Sequence, residues 1–326
     1  MKMKIGIVGY KNHAERLRNL VIANEHCELI YVYHPEKKID HPLATNRFYD
    51  LYQSDAVIVS SPNHTHFHYI MELLENFDGY IFCEKPPVIH ISDLIKLSKI
   101  SLSDKNRIYF NYNYRFGSLS SILNDTNYLD KLGEIHHIKI IHTHGLAFKK
   151  DYRNSWRADG KNNLHSITDT LAIHYVDLLI FVFGQIKKYF YYPENISGIG
   201  TAYDTANIAL KIDKISASIF VSYACPLLYD ITIIGTDGFL KLFENYQDIH
   251  YPRDTFDDNG FFAFPPRIHR VEVDRNKDYL NSLEKSFSFF ISHVQEKKEI
   301  DVKHFETSLI SNKFLLEAQA GNLLTK

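Results

Sequence analysis

The chain has 326 residues, 45% hydrophobic and 23% charged, the balance of a globular protein with one large or two ordinary domains. Its 37 Lys and Arg against 39 Asp and Glu leave a net charge of -2, so no basic field points to nucleic acid or an anionic membrane surface. No run approaches the roughly 18 apolar residues of a membrane helix, the start MKMKIGIVGY is not read as a signal peptide, and three scattered cysteines read as thiols of a reducing cytoplasm.

The first third alternates strands and helices. KIGIVG, ELIYVY, DAVIVSS, YIFCEK and RIYFNYN are short apolar runs that read as five strands. AERLRNLVIAN, THFHYIMELLEN and ISDLIKLSKIS have helical spacing and lie among them. Strands alternating with amphipathic helices predict an α/β fold, a Rossmann-type doubly wound parallel sheet over residues 1–117. Residues 118–326 predict an α+β domain with a large, mainly antiparallel sheet. EIHHIKIIHTHG reads as a long strand, and NLHSITDTLAIHYVDLLIFVFG as a helix closed by Gly184. KKYFYY, TANIALKI, SASIFVSYA, YDITIIGT and GFLKLFE follow as strands, with a tight turn at Thr236-Asp237-Gly238. Two helices close the chain, YLNSLEKSFSFFISHVQ and HFETSLISNKFLLEAQAG.

Four strand exits carry polar groups, where open α/β sheets bind ligands. The first runs into Gly9-Tyr10-Lys11-Asn12-His13-Ala14. Gly9 and Ala14 fit the first and third places of a dinucleotide fingerprint, and Lys11 stands where its second glycine belongs. The second strand ends at His34, where NAD sites usually carry an acid for the ribose hydroxyls. The third ends in Ser61-Pro62-Asn63 and three alternating histidines, His64, His66 and His68. Residues two apart on a helix point to different sides, so these do not form a metal site. The fourth strand ends in FCEKPP, a charged pair met by two prolines that end the ladder. On the later strand, His142 and His144 share a face, read as half-buried polar positions on a sheet used for subunit contact.

GIVGYKNHA, SSPNHTH, FCEKPP, YNYRF, SWR and LAIHYVDLLIFVFG resemble, in order and spacing, the Gfo/Idh/MocA family of NAD(P)-dependent oxidoreductases. The resemblance implies hydride transfer between a nicotinamide cofactor and a hydroxyl or keto carbon of a sugar, cyclitol or nucleotide sugar. It places Lys85 beside the reacting carbon, where a cation stabilises the developing alkoxide, and a cis peptide arrangement over Glu84-Lys85-Pro86. It makes His174 the acid/base, with Asp177 orienting it or the substrate. The family carries an acid four residues before the histidine. Here that position is Thr170, which shares an ideal helix face with His174 and Asp177, while Asp169 lies about 100° around the helix unless the helix start bends. Gly9, Lys11, Asn12, His13, Ala14, His34, Ser61, Pro62, Asn63, His66, Glu84, Lys85 and Asn113 are assigned to the cofactor, with NADP slightly favoured over NAD. Arg115, Trp156, Arg157, Asp169 and Thr170 are assigned to the substrate, and no metal is expected. The expected partners are a sugar-like substrate and further copies of the chain, as a dimer or tetramer. That contact is placed on the second sheet, with Ile208, Leu210, Ile219 and Val221 outward. The competing reading is a catalytically silent cofactor-binding or regulatory protein on the same fold, favoured by the departures at Lys11, His34 and Thr170.

Overall fold

The computed structural model describes residues 2–10, 13–36 and 39–321. Tertiary contacts divide the chain into two compact units, 1–113 with 283–316, and 114–282 with 317–326. Lys11, Asn12, Lys37 and Lys38 lie outside the described residues.

The first unit is built on a parallel sheet of six strands: β1 (Met3–Val8), β2 (Cys27–Tyr33), β3 (Ala44–Thr45), β4 (Ala56–Val59), β5 (Tyr80–Glu84) and β6 (Ile108–Asn111). Their order is β3-β2-β1-β4-β5-β6, which reverses direction beside β1, as in a doubly wound sheet. Strands covered on both faces read as continuous apolar runs, and all four residues of β4 and of β6 are buried. β3 lies at the sheet edge, is two residues long, and has no apolar run to announce it.

Residues 283–316 join this unit from the far end of the chain, where the sequence reading placed them in the second domain. The reason is aromatic packing. Phe287 and Phe290 are buried and meet Phe82 of β5 at ring-centroid distances of 6.4 and 5.3 Å, and Phe305 meets Phe110 of β6 at 5.5 Å. Asn312 also accepts the Val88 N–H at 3.0 Å, just past the two prolines.

The second unit is built on an eight-stranded sheet: β7 (Ile135–Thr143), β8 (Ile186–Glu194), β9 (Thr205–Ile212), β10 (Ile215–Ser222), β11 (Leu228–Gly235), β12 (Phe239–Phe243), β13 (Tyr246–His250) and β14 (Arg267–Glu272). Its order is β14-β13-β12-β11-β7-β10-β9-β8, antiparallel except for the β7–β10 pair. Strand β9 alternates cleanly, with Ile208 and Leu210 buried between exposed Asn207, Ala209 and Lys211. Ile208, Leu210, Ile219 and Val221 are thus core residues, 0–3% exposed, and not the outward set the sequence reading made them. The face they share with Ile138 and Ile140 is covered by the helix Ile173–Phe183, whose Tyr175 hydroxyl lies 2.8 Å from His142 Nδ1 on β7. His142 is accordingly on the covered face, half-buried as the sequence reading expects, and burial pushes its pKa down to about 4. The opposite face holds an ion-paired ladder, Lys139 with Asp230 at 2.8 Å and Arg270 with Asp248 at 2.6 Å.

Among the described residues no helix is long and apolar enough to cross a membrane.

Candidate active site

In the first unit the geometry centres on the exits of β1, β4 and β5. Gly9 ends β1 at φ +115°, and a Cβ there would lie 2.3 Å from the Ser60 carbonyl oxygen, so only glycine fits the turn. Ala14 is buried just beyond it. At the exit of β4, the Ser61 hydroxyl lies 2.6 Å from Thr65 Oγ1, and Pro62 precedes the short 3-10 turn Asn63–Thr65.

Glu84 is the last residue of β5 and only 8% exposed. Its Oε1 accepts from Asn111 Nδ2 at 2.6 Å and meets His13 Nε2 at 2.8 Å. Burial pushes the Glu84 carboxyl up, but the His13 ring, its hydrogen bond, Asn111 and Lys85 outweigh that and hold it below its ordinary value. The hydrogen bonds continue inward. Ser286 donates to Asn111 Oδ1 at 2.7 Å, which spends its proton, so Tyr109 donates to Ser286 Oγ at 2.7 Å. The run Tyr109→Ser286→Asn111→Glu84 has one direction and ends on an ionised carboxylate, which His13 completes from the first βα turn.

On the other side of Lys85, His66 is fully buried. Its Nδ1 lies 2.8 Å from the Pro86 carbonyl and its Nε2 lies 2.9 Å from the Ser61 carbonyl. Carbonyls only accept, so a neutral ring makes one of these bonds and the imidazolium makes both. Burial lowers the His66 pKa, against the pull of the two carbonyls and of Glu84. His66 therefore lies between the exits of β4 and β5, with one carbonyl of each within hydrogen-bond distance. The Lys85–Pro86 peptide bond is cis. Lys85 itself is held between two fixed neighbours, the Glu84 side chain and the Pro86 carbonyl.

In the second unit the expected helix over 163–184 is not uniform. Residues Thr168–Ala172 form a π-turn, with the Ile173 N–H reaching the Thr168 carbonyl, before the α-helix Ile173–Phe183 begins. In an α-helix residues five apart diverge by about 140°, whereas a π-turn gathers them on one side. Two contacts verify this register. Thr170 bonds the Tyr223 hydroxyl just past β10, and Tyr175, five residues on, bonds His142 of β7. Thr170 thus turns to the sheet and leaves the column of His174 and Asp177 that regular spacing predicts. Asp169 Oδ1 accepts from Gln319 Nε2 at 2.6 Å.

His174 is 8% exposed and stacks on Tyr114, with centroids 4.5 Å apart and planes 21° from parallel. Both Asp177 oxygens accept from Arg115, Nε at 2.8 Å and Nη2 at 2.7 Å, and both side chains are about 1% exposed. Arg115 also lies over the Phe181 ring at 4.7 Å. This bidentate pair fixes the 3-10 turn Asn113–Phe116 to the helix. Trp156 is 46% exposed, with the Arg157 guanidinium over its ring at 4.5 Å. Asn113 is buried at the start of that 3-10 turn, and at the end of β2 His34 Nδ1 accepts from the Glu36 N–H at 3.3 Å. Asn111, Tyr223 and Gln319 had no motif to mark them, and Tyr114 lay within YNYRF without being singled out. Among the described residues no group of three or more His, Cys, Asp or Glu is placed to hold a metal ion.

Comparison with known proteins agrees with this architecture. Residues 3–112 match the model of an oxidoreductase family with an NAD-binding Rossmann fold, and residues 130–241 match the GFO/IDH/MocA C-terminal domain. A comparison with curated proteins finds no match. Solved structures are similar over nearly the whole chain. A myo-inositol dehydrogenase from Corynebacterium glutamicum ATCC 13032 is 18% identical, with TM-score 0.73 over 100% of this chain and 99% of that one. An oxidoreductase from Agrobacterium radiobacter, in complex with NAD+, L-tartaric acid and magnesium, is 15% identical, with TM-score 0.77 over 99% and 96%. An inositol dehydrogenase homolog from Azotobacter vinelandii, complexed with NAD+, is 14% identical, with TM-score 0.75 over 99% and 96%. The two matched segments together span about two thirds of the sequence, and the chain belongs to the Gfo/Idh/MocA family of oxidoreductases, with an NAD-binding Rossmann domain.

Proposed function

We propose that the protein transfers hydride between a nicotinamide cofactor and a hydroxyl or keto carbon of a sugar, cyclitol or nucleotide sugar. The observation that carries this reading is the clamping of Lys85 between Glu84, held ionised by His13 and Asn111, and Pro86, whose carbonyl is bonded to His66. A cation on so fixed a backbone is preorganised to meet the negative charge that develops on the substrate oxygen. No equivalent clamp is needed by a lysine that merely ends a strand.

His174 is assigned the proton transfer. Asp169, five residues before His174 across the π-turn, is assigned the acidic position in place of Thr170. Asp177 supports the site through Arg115 and does not itself touch substrate. His174→Gln is expected to lower turnover and flatten its pH dependence while leaving cofactor affinity within a few fold. A variant that keeps both the rate and the pH profile moves proton transfer to another group, with Asp169 first.

The cofactor assignment follows from His34 at the end of β2. When neutral, its ring proton sits on Nε2, because Nδ1 accepts from the Glu36 N–H, and it does not repel a 2'-phosphate as an acid would. Lys11, Lys37 and Lys38 add positive charge nearby in sequence. NADP(H) is expected to bind at least as well as NAD(H), by about 1–2 kcal/mol. Calorimetric titration with NADH and NADPH checks this, and a clear preference for NADH refutes the phosphate argument while leaving the oxidoreductase reading intact. Folded protein that binds neither form would instead support the silent, regulatory reading.

A further inference from the structure

Ser286 stands where a helix buries an apolar stripe. It lies on the helix Arg275–Glu296, in the part that joins the first unit, among Leu283, Phe287 and Phe290, and all four are buried. A serine in such a place commonly returns its proton to its own helix, as Ser308 does to the His304 carbonyl and Ser311 to the Thr307 carbonyl. The Ser286 hydroxyl instead crosses to the sheet and donates to Asn111 Oδ1 at 2.7 Å, while the fully buried Tyr109 donates to Ser286 Oγ at 2.7 Å from the other side. Asn111 ends β6 directly beside Glu84 in the parallel register, and its Nδ2 donates to Glu84 Oε1 at 2.6 Å.

We propose that Ser286 is a positioning residue for hydride transfer: it fixes which way the Asn111 amide faces, and through that amide holds the Glu84 carboxylate in place beside Lys85. The inference rests on the assignment of Lys85 above. An amide has a donor end and an acceptor end, which exchange by a half-turn. An ionised Glu84 needs the donor end, whereas a neutral carboxylic acid is served as well by the acceptor end, to which its own O–H donates. Ser286 removes that choice. With Tyr109 donating to its oxygen, its one proton goes to Asn111 Oδ1, so the acceptor end is occupied and the donor end faces Glu84. His13, Lys85 and His66 face the same carboxylate, and the buried Cys83 thiol adjoins it. Burial acts against the ionised form of Glu84, and His13, Asn111 and Lys85 together outweigh it. A serine that only filled space would have no bearing on this balance.

A double-mutant cycle read by urea unfolding tests the proposal without any substrate. Ser286→Ala is expected to lower the unfolding midpoint at pH 7, because Asn111 Oδ1 loses its donor. It is expected to lower the midpoint much less in Glu84→Gln, whose neutral amide can bond either end of Asn111. Tyr109→Phe, which keeps the buried ring, should show the same dependence on Glu84 with a smaller loss. Turnover supplies the second readout. Ser286→Ala is expected to turn over about three- to tenfold more slowly at pH 7, the worth of one hydrogen bond, with the acid limb of its pH profile displaced to higher pH. Equal losses of midpoint in both backgrounds, or a slow variant with the wild-type pH profile, would reduce Ser286 to a packing role and overturn the proposal. A wild-type protein that turns over no sugar or cyclitol would count against the oxidoreductase reading instead, and the urea cycle would still decide what Ser286 does.

Discussion

Lys85→Ala is expected to lose at least about a hundredfold in turnover, the scale on which removal of a preorganised transition-state partner acts. Its cofactor affinity should change little, because the groups that shape the strand exit are its neighbours: Glu84, held by His13 and Asn111, and Pro86, held by His66. Lys85→Arg should recover only part of the rate, since a planar guanidinium does not occupy the position of an ammonium. The measurement is steady-state turnover beside calorimetric cofactor binding on the same preparations. Turnover at the wild-type level in Lys85→Ala would remove the lysine from the chemistry.

Asp177→Ala is expected to produce the largest loss of stability. It leaves the Arg115 guanidinium, itself about 1% exposed, without the carboxylate that takes two of its hydrogen bonds. Breaking one side of a buried ion pair costs about 3–5 kcal/mol, or a fall in melting temperature on the order of 10 °C. The pair as a whole contributes much less, because burying both charges costs nearly what their attraction returns. Asp177→Leu combined with Arg115→Met should therefore recover most of the stability lost in Asp177→Ala. A double variant as unstable as the single one would show that the pair is not an isolated unit. Thermal unfolding of the three proteins decides this.

The strands of the first unit were legible because both faces of that sheet are covered, which makes each strand an unbroken apolar run. The turn Thr236-Asp237-Gly238 and the helix stop at Gly184, at φ +91°, were legible for local reasons as well. β13 and β14 were not, since YQDIH and RIHRVE carry the charges of a solvent-facing sheet edge in place of an apolar alternation. Nothing local announces that Phe287, Phe290 and Phe305 pack on β5 and β6, because that choice is made by contacts across most of the chain.

The site divided along the same line. Glu84, Lys85 and His66 were marked by sequence motifs, and the structure supplies the bonds that make their places rigid. Asp177 was marked too, but its partner Arg115 is 62 residues away, a pairing that helical spacing does not announce. Thr170 bonds Tyr223 instead of following regular helical spacing because one π-turn shifts the register by a residue, and no residue type encodes such a turn unambiguously. The outward placement of Ile208, Leu210, Ile219 and Val221 failed for a simpler reason. Alternation gives two faces but does not say which one a helix will cover.

The central claim is hydride transfer, and following the hydride itself tests it most directly. The protein would be incubated with reduced cofactor carrying deuterium at the nicotinamide C4 and with a panel of keto sugars, keto cyclitols and nucleotide keto sugars, and the products analysed by mass spectrometry. Deuterium on the carbinol carbon of a product, formed by the wild-type protein and at most about one hundredth as fast by Lys85→Ala, is the expected result. Cofactor bound tightly by folded protein, with no deuterium transferred to any member of the panel, would point instead to a fold that holds the cofactor without using it.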